Sequence, residues 1–139
     1  MTTFESTVTK ATYNDSEIFG LLSDLNNIEK IKDRIPQDML KELEFDTDSC
    51  RFSMEPVGQV GLRIVEREPA NMIKFAGEQS PVDFNLWIQL KQVAENDTRI
   101  KVTLKADLNP MIKMMVSKPI ETFVNKLAEI LSNISYNSQ

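Results

Sequence analysis

The chain has 139 residues, 41% of them apolar and 27% charged, with a formal net charge of −5. That length suits a single domain, residues 1–139, with a core of its own. The acidic balance and the lack of any basic tract exclude a nucleic-acid binder that replaces counterions with lysine and arginine, and exclude charge-driven adsorption to an anionic membrane.

No apolar run approaches the roughly 20 residues of a membrane span. The opening MTTFESTVTK has no basic start followed by an apolar block, so no export signal is expected. The single cysteine, Cys50, leaves no internal disulfide and suits a reducing, cytoplasmic setting.

Residues 3–13 alternate and are rich in threonine and valine, which predicts a first strand. Asn14 followed by Glu17 has the form of a capping box, so a helix is expected from about Asp15. Ile18, Leu21, Leu22 and Leu25 then fall at helical spacing. Ser23-Asp24 and Asn26-Asn27 read as a break and a fresh cap before a second short helix through IEKIKDR. Pro36 bars its continuation and biases Ile35 to extended geometry.

From Leu40 the period changes to two. Leu43 and Phe45 share one face, with Glu42, Glu44 and Asp46 opposite. Cys50, Phe52 and Met54 share a face in the next run. Pro56 and Gly58 punctuate, and Val60, Leu62 and Ile64 alternate with Arg63 and Arg67. Gly58 is expected to shape a turn and Gly61 a bulge. Pro69-Ala70-Asn71 is a turn, and MIKFAGE a further strand.

The run VDFNLWIQLKQV sets Val82, Phe84, Leu86, Ile88 and Leu90 against Asp83, Asn85, Trp87, Gln89 and Lys91. After AEND, Ile100, Val102, Leu104 and Ala106 alternate with Arg99, Lys101, Thr103 and Lys105. A hairpin folded about Asn96 pairs Leu86 with Ala106, Ile88 with Leu104 and Leu90 with Val102, and puts Trp87 opposite Lys105. The tail is helical from Pro110, with Ile112, Val116, Ile120, Phe123, Leu127, Ile130 and Ile134 along one stripe. Pro119 inside it should kink the helix.

The predicted fold is α+β: an antiparallel sheet of about six or seven strands, curled around a long C-terminal helix, with two short helices after the first strand. In its order this resembles the START-like helix-grip superfamily, which also holds polyketide cyclases. The resemblance covers nearly the whole chain. It is carried by FESTVTKATYNDSEIFGLLSDL, DTRIKVTLKADLNP and PIETFVNKLAEIL. It implies an apolar cavity between sheet and last helix, holding a hydrophobic small molecule such as a lipid, an isoprenoid or a polycyclic compound. Cyclase-like catalysis and protein partnership also occur in that superfamily.

The expected cavity lining is Phe75, Phe84, Leu86, Ile88, Val102, Leu104, Met115, Pro119, Phe123 and Leu127. Methionine packs adaptably, and Met111, Met114 and Met115 open the final helix, while Met39, Met54 and Met72 lie elsewhere. The chain has no histidine, which removes Ser–His and Cys–His nucleophile pairs and the usual zinc sets. Four glycines, none in phosphate-loop spacing, argue against nucleotide binding. No cofactor, metal or catalytic residue is expected.

A cyclase or dehydratase would need a polar group in the cavity, and Tyr13, Glu55, Arg63 and Glu66 are the candidates. Arg51 beside Cys50 offers a way to lower the thiol pKa, although a small apolar role is the simpler reading. The close carboxylates Glu42, Glu44, Asp46 and Asp48 read as a solvated face. Trp87, on the polar phase of its strand, has two open readings. It is covered by lysine stems, or it is a partner surface through which the chain forms a homodimer.

Overall fold

The computed structural model describes residues 1–35 and 41–136. Pro36, Met39 and Leu40 lie outside the described residues. Eight strands form an antiparallel sheet in the order β1-β8-β7-β6-β5-β4-β3, with β2 also paired to β8. The strands are β1 (Thr2–Glu5), β2 (Thr9–Ala11), β3 (Lys41–Phe45), β4 (Ser49–Met54), β5 (Gly58–Glu68), β6 (Met72–Glu78), β7 (Phe84–Ala94) and β8 (Asp97–Ala106). Helices α1 (Asp15–Leu22) and α2 (Ile28–Ile31) follow β2, and α3 (Pro110–Ser132) follows β8. This is the expected α+β order, with one strand more than the six or seven read from the sequence.

The extra strand arises because the first run is broken. Ser6 turns its hydroxyl onto the Val102 N–H (2.9 Å), while its own N–H donates to Val102 O (2.8 Å). The ladder resumes only at Thr9, opposite Ile100. A side chain that takes a ladder bond ends a strand locally.

Helix α1 begins where the capping residues put it. The Asn14 N–H donates to Glu17 Oε1 at 3.1 Å. The Asn14 side-chain oxygen also accepts from Gln92 Nε2 (3.0 Å) and from the Asn96 N–H (2.9 Å), which ties the helix start to the β7–β8 turn. Asp24 caps the short 3-10 turn Leu25–Asn27 through the Asn26 N–H, at 2.9 Å. Ile35 is extended, at φ −88° and ψ 122°.

The β7–β8 hairpin pairs Leu86 with Leu104, Ile88 with Val102 and Leu90 with Ile100. This register is two residues from the expected one. A two-residue turn at Glu95-Asn96, with Asn96 at φ 56°, is followed by an irregularity at Val93 that absorbs one further residue. A shift of two preserves the faces, so the apolar set still faces inward. Gly58 turns the chain, at φ +100°, but Gly61 lies in regular register. The bulge of β5 is instead at Val65, between Ile64 and Glu66, and it leaves Val65 exposed. Gly61 has a different role: a Cβ there would sit 2.3 Å from the Glu78 carbonyl oxygen of the neighbouring strand.

Helix α3 is capped by Asn109, whose side chain accepts from the Ile112 N–H at 2.9 Å. It packs on β8, β1 and β2. The approach is close because Val124 and Ala128 are small and fully buried there, and Thr9 Oγ1 donates to Ala128 O at 3.0 Å. The Thr7 N–H donates to Asn125 Oδ1 at 2.8 Å. The helix is therefore fastened to one side of the sheet. Over β4 to β7 the gap between helix and sheet must be filled by long side chains or left open.

Candidate ligand cavity

That gap is partly open. Two apolar cavities lie between the sheet and α3. The larger has a volume of about 110 Å³. Its sheet wall comes from Leu43, Cys50, Phe52, Leu62, Phe75, Leu86 and Ile88, the inward phase of β3 to β7. Its helix wall is Phe123, Leu127, Ile130 and Leu131. Leu22, Leu25, Ile28, Ile31 and Ile35, from α1 to just beyond α2, close its end. The smaller, about 30 Å³, lies toward the β4–β5 turn and the β6–β7 loop. Met54, Val57, Val82, Phe84, Leu104 and Ile120 are among its walls, and Ser80 is its one polar side chain among the described residues.

Among the expected lining residues, Phe75, Ile88 and Leu127 line the larger cavity, Phe84 and Leu104 the smaller, and Leu86 and Phe123 both. Three do not. Val102 is fully buried on β8, the strand on which α3 packs, and lines neither cavity. Met115 is 59% exposed. It lies one helical step, about 100°, round from the inward Val116, on the same side as Met111. Met111 and Met114 are likewise exposed. Pro119 is half-buried inside an α3 that continues through it, and it lines neither cavity.

The expected set omitted Phe52, Leu62 and the closing residues of α1 and α2. Phe52 and Leu62 were on the inward phase of their strands, so alternation carried the signal. Nothing local distinguishes the closing leucines and isoleucines from ordinary core.

The polar candidates lie elsewhere. Tyr13 packs edge-on against Tyr136, ring centroids 5.5 Å apart. Tyr136 is buried, donates its hydroxyl to Leu131 O, and is pushed to higher pKa by that burial. Arg63 points outward and donates from Nε to Glu78 at 2.9 Å. Glu55 and Glu66 are exposed. None of the four candidates lines either cavity.

Cys50 is the one ionisable side chain in the larger lining among the described residues, and burial pushes its thiol up to about 12, with the Asp46 charge adding to the shift. It stays protonated at neutral pH and is a poor nucleophile there. In the acidic cluster, Asp46 accepts from the Ser49 hydroxyl (2.9 Å), the Ser49 N–H (2.8 Å) and the Asp48 N–H (3.0 Å). These bonds, the Ser49 hydroxyl first, hold its carboxyl below the usual range. Asp48 pairs with Arg67 at 2.6 Å. These carboxylates build the β3–β4 turn and face away from the cavities. No group of three or more potential metal-ligating side chains occurs among the described residues.

On the outer face, Trp87 is opposite Thr103 rather than Lys105, because of the shifted register. Lys74 and Lys105 place their ammonium groups 5.4 and 5.6 Å from the centre of the indole ring.

No protein-family model matches the sequence, and no curated protein matches it. Solved structures do share the fold. Truncated norcoclaurine synthase from Thalictrum flavum superposes with a TM-score of 0.76 at 12% identity, covering 99% of this chain and 95% of that one. The same synthase in complex with dopamine and hydroxybenzaldehyde gives 0.73 at 12%, covering 94% and 84%. A START superfamily protein from Mycobacterium smegmatis gives 0.63 at 14%, covering 94% of each chain. At these identities the likeness is one of fold.

Proposed function

For a chain with the START-like helix-grip fold, we propose non-catalytic binding of a hydrophobic small molecule between the sheet and α3. The observation that carries this reading is the pair of adjoining cavities, walled almost wholly by apolar side chains. Apolar burial supplies the affinity, about 25 cal/mol per Å² before ordering costs. A structural neighbour has been solved with dopamine and hydroxybenzaldehyde, two molecules of one ring each, which agrees with a ligand of that size though not with their polar groups.

Cyclase- or dehydratase-like chemistry is the weaker reading, because a proton donor or acceptor has to face the cavity. Among the described residues, the only titratable side chain in either wall is a thiol that stays protonated at neutral pH. A homodimer through the Trp87 face is also disfavoured. Lys74 and Lys105 already cover the ring, and a two-fold pairing of that face would bring like charges together. The cytoplasmic setting belongs to the same proposal, and a free, buried Cys50 suits it. No helix among the described residues is long and apolar enough to cross a membrane.

The test is native mass spectrometry of the protein purified from its own cells, followed by solvent extraction. A stoichiometric apolar adduct is the expected result. A bare chain whose thermal stability does not change with saturating toluene would overturn the reading.

A further inference from the structure

The two cavities share four wall residues, Phe52, Leu62, Leu86 and Phe123. A side chain that lines two voids stands between them. Leu62 and Leu86 form the floor on β5 and β7. Phe52 rises from β4, Phe123 descends from α3, and the two rings meet across the gap. Their centroids are 6.1 Å apart and their planes 26° from parallel. Both side chains are buried, at 4% and 6% exposure. The rings are therefore held by packing on all sides except where the voids touch them.

The volumes then decide what fits. An apolar cavity of about 150 Å³ accepts a molecule the size of benzene. The larger chamber, about 110 Å³, is of that order, whereas the smaller, about 30 Å³, holds much less. A long acyl chain or a polycyclic skeleton fits neither chamber alone. Among the described residues, its route to more space inside the fold runs through the ring pair. The chemistry of the wall narrows the choice further. Among the described residues, the larger chamber offers no hydrogen-bonding side chain beyond the weak thiol of Cys50. A hydroxyl, amine or carboxylate placed there would lose its water without gaining a partner.

We propose that the stacked pair Phe52–Phe123 is a size-selecting partition, and that the ligand is a compact hydrocarbon-like molecule of about one ring, held in the chamber between α1–α2 and α3. This rests on the binding reading above and adds to it the ligand's size class and the residues that set it. Phenylalanine suits the task because it is bulky, apolar and has only two side-chain torsions, so the partition is stiff. Its removal would join the chambers into one elongated cavity without exposing either to a charged group.

The experiment uses the full chain and two probes, toluene and n-hexylbenzene, titrated separately and followed by methyl NMR shifts. Wild type is expected to bind toluene, and to bind n-hexylbenzene at least tenfold more weakly. Phe123→Ala is expected to bind n-hexylbenzene at least tenfold more tightly than wild type does. Phe52→Leu trims the same partition from the sheet side with a smaller loss of volume, and serves if the first variant fails to fold. Equal binding of both probes by wild type would overturn the partition and leave the binding reading standing. A folded variant that gains nothing for n-hexylbenzene would also overturn it. If wild type and variants bind neither probe, the binding reading falls together with the partition.

Discussion

At Cys50 the neighbouring charge in sequence, Arg51, lies on the opposite, exposed face of β4 and pairs loosely with Glu44 at 3.9 Å. Burial is left to act, and it raises the thiol from 9.0 to about 12. A group whose folded pKa exceeds its unfolded one gives stability that is complete below the unfolded value and is lost as pH rises through the folded one. Urea unfolding of the wild type should therefore show stability falling between about pH 9 and 12. Cys50→Ala should show a shallower fall. The native thiol should also resist iodoacetamide at pH 8 and react once the chain is unfolded. Gly77 gives a second residue-scale prediction. A Cβ there would lie 2.5 Å from the Phe84 ring, whose open side is the smaller cavity. Gly77→Ala should push the ring into that space and cost about 1–3 kcal/mol in urea unfolding, as overpacking does.

Asn14 shows how one side chain can serve two elements. It caps α1 and also holds the β7–β8 turn through Gln92 and Asn96. Asn14→Ala should cost about 2 kcal/mol, the upper end for a lost cap, and hydrogen exchange should speed up in both α1 and the turn. The elements themselves were legible from the sequence because their periods are clean. The alternation of β7 and β8 fixes which residues face inward whether or not the register is right. The register was misplaced by two because the turn lies at Glu95-Asn96 rather than being centred on Asn96, and because an irregularity at Val93, which leaves no mark in an alternating run, adds one further residue. The split of the first strand was hidden for a similar reason, since Ser6 looks like any polar strand residue until its hydroxyl takes a ladder bond. In α3 the inward stripe was correct, and Met115 was misassigned by composition: methionine suits a pocket, but its position was one step off the stripe. The cavity itself was not legible. It depends on α3 being drawn to β1, β2 and β8 by small residues such as Ala128, a distance no local pattern encodes.

For the whole molecule, the open volume is a standing cost. At about 24 cal/mol per Å³, a void of about 110 Å³ lowers stability by roughly 2–3 kcal/mol relative to a filled core. Leu127, half-buried on α3 and in the wall of the larger chamber, is a place to recover part of it. Leu127→Phe should raise the melting temperature by a few degrees and abolish toluene binding, as calorimetry and titration would show. A bound ligand should act the same way, raising stability with its concentration.

The sheet also separates the molecule into two sides that do not sense each other. Trp87, the chain's one tryptophan, stands on the outer face beneath two ammonium groups, while its neighbours Leu86 and Ile88 point into the cavities. Its emission should therefore report ionic strength and lysine acetylation, and should stay constant as the interior fills. A fluorescence screen reading intrinsic tryptophan would pass over every true ligand. A tryptophan introduced at Phe75, inside the larger chamber, would give the molecule a reporter on the side where binding takes place.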